Sequence, residues 1–148
     1  HDALPIFGGG TQTVWKLNKS NLSQVAESAN YGGEIFAVAI DADFVYVGGG
    51  TSKAIKLRKS NLSQVADADY GTYIYAVATD DDFVYVGDGT TKVRKLRKID
   101  LSQVAESANY GGVINAIATD NEFVYVGGSV QTVRVIENCD LIKIIRRY

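Results

Sequence analysis

Three tyrosines, Tyr31, Tyr70 and Tyr110, each stand directly before a glycine (Gly32, Gly71 and Gly111), and the pair returns about every 40 residues. A tyrosine beside a glycine in a loop offers a flat apolar face and a polar tip, chemistry suited to weak non-covalent capture of a glycan or a peptide. Several similar weak sites would gain strength by multivalency. Shortly after these pairs come Glu34, Tyr73 and Val113, then Phe36, Tyr75 and Asn115, positions that differ between copies of an otherwise constant text. Variation on a constant frame is what ligand selection would produce. The candidate ligand-contacting set is therefore Tyr31, Tyr70, Tyr110, Glu34, Phe36, Tyr73, Tyr75 and Asn115. For the three recurrent tyrosines, a wedge packed against the neighbouring unit explains identical recurrence at least as well.

Other residues invite chemistry and do not support it. The acidic turns Asp41-Ala42-Asp43, Asp80-Asp81-Asp82 and Asp120-Asn121-Glu122 resemble calcium ligands, but calcium wants six to eight oxygens from a looped cage, and a short hairpin turn cannot supply them. They read as turn formers. Gly48-Gly49-Gly50-Thr51 is no phosphate loop, because no helix pattern follows it; its glycines are expected to supply the positive φ of a tight hairpin. Lys56, Arg58, Lys59, Lys95, Arg97 and Lys98 read as a solvated face guarding strand edges. Trp15 shares a slot with Ile55, Arg94 and Arg134, where it either covers an interface or packs. Cys139 is the one cysteine, and His1 is terminal and the one histidine, so no nucleophile with a base and no metal cluster is visible. We expect no enzyme activity, no catalytic residue, no metal and no cofactor.

The elements that would position these residues repeat. Phe44-Val45-Tyr46-Val47-Gly48 returns at Phe83 to Gly87 and at Phe123 to Gly127, and Leu22 to Gly33 returns unchanged at Leu101 to Gly112. Within a unit the apolar pattern has period two, the signature of strands, with turn residues every eight to twelve positions. The spacing predicts a first strand over residues 35–40, 74–79 and 114–119, then a second such as 44–47, a third such as 54–57, and a polar fourth such as 62–65. The repeats divide the single domain at about 1–33, 34–72, 73–112 and 113–148.

Four short antiparallel strands in about 40 residues match one blade of a β-propeller. The strings FVYVGGGTSKAIKLRKSNLSQVA and FVYVGGSVQTVRVIENCDLIKII resemble the YVTN and PQQ-like repeats and, more broadly, WD40-like repeats. That resemblance implies an all-β propeller with about four blades per chain. The Trp-Asp and Gly-His dipeptides of WD40 blades and the Asp-Gly…Gly…Trp pattern of quinoprotein blades are absent from the chain, so no quinone cofactor is carried over. Counting gives 15 strands, the first blade lacking its innermost strand and starting at Leu4-Pro5-Ile6-Phe7, where Pro5 suits an unpaired edge.

Two such arcs docked head to tail would make a homodimer with an eight-bladed ring, the alternative being a four-bladed monomer. With 15 Lys plus Arg against 17 Asp plus Glu, the net charge of −2 argues against a nucleic-acid or anionic-membrane partner. No apolar run reaches bilayer length and no signal pattern opens the chain, which reads as soluble, in a compartment the sequence does not reveal. The function expected is a non-catalytic binding module presenting Tyr and Gly loops to a glycan or peptide. The alternative is a structural domain that self-associates.

Overall fold

The computed structural model describes residues 12–130, 133–137 and 144–147. His1, Cys139 and the strand expected at residues 4–7 lie outside them. Among the described residues the period-two segments form 14 strands: β1 (Trp15–Leu17), β2 (Gln24–Glu27), β3 (Ile35–Ile40), β4 (Phe44–Gly49), β5 (Lys53–Arg58), β6 (Gln64–Asp69), β7 (Ile74–Thr79), β8 (Phe83–Asp88), β9 (Val93–Arg97), β10 (Gln103–Glu106), β11 (Ile114–Thr119), β12 (Phe123–Gly128), β13 (Arg134–Glu137) and β14 (Ile144–Arg147). Every pairing is an antiparallel hairpin between consecutive strands. Among the described residues no helix is long and apolar enough to cross a membrane.

These strands do not build the expected β-propeller of about four blades. They make four small sheets, β1-β2, β3 to β6, β7 to β10 and β11 to β14, and none closes. The sheets stack in sequence order, each burying residues against the next. Val45 and Val47 of β4 face the first sheet, and Tyr46 between them faces the third. In the same way Val84 and Val86 of β8 face the second sheet and Tyr85 faces the fourth. Alternation thus serves two cores at once, which is why β4 and β8 are buried on both faces.

The ends show why no ring is present. Tyr125, the counterpart of Tyr46 and Tyr85 in the last sheet, is only half-buried, because no further sheet among the described residues covers it. At the other end Val38 and Ile40 of β3 are 49% and 56% exposed. Ring closure would bury both ends. The closed four-bladed ring of a single chain falls with that correction.

Local chemistry sets the turns. Asp41 Oδ1 accepts from the Asp43 and Phe44 amides at 3.0 and 2.8 Å, while its Oδ2 accepts from the Tyr46 hydroxyl at 2.8 Å. Asp80 and Asp120 repeat the arrangement with Tyr85 and Tyr125. One carboxylate therefore closes each turn and anchors the tyrosine of the following strand, which in Tyr46 and Tyr85 fills a core.

Two expectations shift. The fourth strand begins about two residues late, because Leu62 takes φ 60° in the turn and is buried there, a left-handed conformation that a strand cannot hold. In the turn after β4, positive φ falls on Ser52 (64°) and not on a glycine. Gly49 is needed for close approach instead: a Cβ there would lie 2.0 Å from the Glu34 carbonyl oxygen.

Hydroxyls also stitch the first strands of successive sheets. Thr79 Oγ1 donates to the Ile40 carbonyl at 2.8 Å, and Thr119 Oγ1 donates to the Thr79 carbonyl at 2.9 Å. Thr79→Val keeps the shape and removes one such bond, so urea denaturation should show a loss of about 1 kcal/mol.

Candidate functional site

The first strands carry the same irregularity at the same place. Ile35 pairs with Gly49 and Ala37 with Gly48, leaving Phe36 unpaired as a β-bulge. Tyr75 and Asn115 are bulged identically in β7 and β11. A bulge bends its strand and re-aims a side chain, here at the end where each first strand begins. The three bulged residues are among the positions that vary between repeats, so one backbone device presents three different side chains.

Two of these bulged residues meet. The Phe36 and Tyr75 rings stack with centroids 5.3 Å apart and planes 13° from parallel, and Tyr73 stands 6.2 Å from each, tilted to Phe36 and edge-on to Tyr75. Such pairs contribute about 0.5–1.5 kcal/mol beyond their buried area. The cluster is nonetheless open to solvent, with Phe36 40% and Tyr73 51% exposed. Glu34 and Asn115 occupy the corresponding row and are exposed.

The recurrent tyrosines are placed differently. Tyr31 donates its hydroxyl to the Lys53 carbonyl and Tyr70 to the Leu101 carbonyl, each on the following sheet. Tyr110 donates to the Val130 carbonyl at 3.0 Å. Tyr31 and Tyr110 pack with the cores on either side, and burial pushes the Tyr31 and Tyr70 phenols above their ordinary range. Of the eight candidates the structure therefore brings Phe36, Tyr73 and Tyr75 into one surface, sets Glu34 and Asn115 in the same row, and uses Tyr31, Tyr70 and Tyr110 as clamps between sheets.

At the opposite end of β3 and β7, open grooves run between successive sheets; one of about 680 Å³ is lined by Asp80, Asp82, Lys95, Asp120 and Glu122 among others. Two of its acids are already engaged, since Asp80 and Asp120 close their turns. Among the described residues no group of three or more His, Cys, Asp or Glu could hold a metal ion.

The lysines differ from a solvated face. Lys56 and Lys95 are buried, with their ammonium groups 3.9 and 4.1 Å from the Phe44 and Phe83 ring centroids. Lys56 also donates to the Lys98 carbonyl of the next sheet at 2.7 Å. Burial, with Lys98 nearby, holds the Lys56 ammonium below its ordinary range against the opposing pull of Asp41. Trp15 stays 45% exposed and donates its indole N–H to Glu27 Oε1 at 3.1 Å.

Sequence reasoning passed over one charged pair, Asp88 with Arg94. Asp88 is fully buried, and its Oδ2 lies 2.5 Å from Arg94 Nε. The signal was available in the repeat: Asp88 replaces the glycine of the other copies in the same unit where Arg94 replaces Ile55.

No protein-family model matches this chain, and no curated protein matches it. Many solved structures share its fold, two computationally designed proteins among them. The computationally designed Ika8 protein superposes with a TM-score of 0.81 at 16% identity, over 95% of this chain and 44% of that one. The computationally designed Ika4 protein gives 0.76 at 16% identity, over 85% of this chain and 79% of that one. The chain thus spans less than half the length of Ika8, and at this identity the likeness concerns fold alone.

Proposed function

We propose that this protein is a non-catalytic binding module whose contact surface is the Phe36, Tyr73 and Tyr75 cluster, with a glycan or a peptide as ligand. The observation that carries this reading is an aromatic surface held open to solvent by a backbone bulge. Left to packing alone, two stacked rings would be expected to sink into a core. Flat ring faces meet the apolar face of a sugar or an apolar side chain, and Glu34 and Asn115 supply polar groups in the same row. Binding at one such surface is weak and gains from several ligand copies on one scaffold. A glycan array and a peptide-display screen on folded protein test it: a reproducible hit in either is expected, and blanks in both would contradict it.

A self-associating role is favoured by a separate observation, the exposed Val38 and Ile40 on β3. A second copy of the chain seated on that face would bury them. Sedimentation equilibrium showing one chain's mass at all concentrations would remove this second reading.

A further inference from the structure

We propose that Arg134, Tyr110 and Gly128 form a receptor for a carboxylate group carried by another molecule. One location, matched by register, differs among three sheets: Val47 pairs with Ile55, Val86 with Arg94, and Val126 with Arg134. In the third sheet the location holds an acid and a base. The Asp88 carboxylate accepts from Arg94 Nε at 2.5 Å and from the Thr90 amide and hydroxyl at 2.9 and 2.5 Å, and the Arg94 guanidinium lies 5.2 Å from the Tyr70 ring centroid. In the second sheet both charges are gone, with Gly49 and Ile55 in their places.

The fourth sheet keeps only half of the pair. The Arg134 guanidinium lies 5.0 Å from the Tyr110 ring centroid, repeating Arg94 over Tyr70, but the residue in the place of Asp88 is Gly128. One terminal nitrogen of Arg134 donates to the Asn109 carbonyl at 3.2 Å. Its Nε is shielded from solvent and has no hydrogen-bond partner, the one buried side-chain polar atom so found among the described residues. A buried N–H on a cation left unpaired is costly, and native structures satisfy nearly all such groups.

A carboxylate is the group that satisfies this N–H in the third sheet, so a carboxylate is the ligand chemistry the fourth sheet fits. The chain cannot supply it from residue 128 with its backbone as it stands, because a Cβ there would lie 1.9 Å from the Val113 carbonyl oxygen. A free carboxylic acid, an acidic sugar or an acidic peptide would each bring the same group. The site takes a different probe from the ring cluster, so the failure of either leaves the other standing.

Arginine-detected NMR tests it, following the Nε–H resonances while acetate is added at constant ionic strength, with chloride and inorganic phosphate as comparisons. The Arg134 resonance should shift saturably with acetate while the Arg94 resonance, already bonded to Asp88, stays still. Arg134→Lys should weaken the fitted acetate affinity by about tenfold or more, since an ammonium has no fork to match the carboxylate. Asp88→Ala should make Arg94 respond to acetate as Arg134 does. If that variant fails to fold, the wild-type titration alone decides. A flat Arg134 resonance, an equal response to chloride, or a response to phosphate without one to acetate would overturn the proposal.

Discussion

Alanine at Gly48 or at Gly87 is expected to destabilise the protein by about 1–3 kcal/mol, while alanine at Gly127, the same position in the last sheet, should change stability by less than about 0.5 kcal/mol. The difference comes from the neighbouring sheet packed over each glycine. A Cβ on Gly48 would lie 2.3 Å from Ile74 Cγ2, and one on Gly87 would lie 2.4 Å from Ile114 Cγ2, distances no real contact holds, so the next sheet must move away. A Cβ on Gly127 meets nothing within 4 Å. Three glycines that each follow the same Phe-Val-Tyr-Val thus report the order of the stack and its open end. Denaturant titrations at several protein concentrations measure all three. A large, concentration-dependent cost at Gly127 would mean that another surface packs on the fourth sheet, and the open stack would be wrong.

Acid should weaken the stack through Asp41. Burial alone would raise its carboxyl. The Lys98 ammonium at 3.0 Å, the Tyr46 hydroxyl and the amides of Phe44 and Asp43 outweigh that and bring it down from 3.8 to about 2. A carboxyl lowered in the folded state contributes stability that is fully present above about pH 4 and is lost as the pH falls to about 2. The gap corresponds to about 2 kcal/mol, because each pKa unit is worth about 1.4 kcal/mol. Asp41→Asn should therefore cost about that much at neutral pH and show a shallower loss across the acid window. Taking the difference between wild type and variant cancels the other carboxylates. Parallel curves for the two proteins would mean that Asp41 does not hold the second and third sheets together.

The first strands were legible to the residue, since Ile35–Ile40 and its two copies alternate locally and need no partner to be recognised. The acidic turns were legible for the same reason. The role of the glycines was not, because collision between Gly49 and Glu34 depends on a neighbouring strand that the local text does not show. Whether one chain closes on itself was not legible on similar grounds: a 40-residue unit looks the same inside a ring or an open stack, and the exposure of Val38, Ile40 and Tyr125 separates the two. Variation among copies did point to Phe36 and Tyr75, but the bulge beneath them is a matter of register. The meeting of their rings across two sheets could not be read from spacing.

Whether the Phe36, Tyr73 and Tyr75 rings form a contact surface is decided most directly by following their ring resonances while pools of oligosaccharides and of short peptides are added. The three residues should shift together and saturably with one of the pools, and Phe36→Ala with Tyr75→Ala, in a protein that keeps the wild-type fold, should weaken that binding by about tenfold or more. Rings that stay still in both pools, or a double variant that binds as well as wild type, would contradict the binding surface outright.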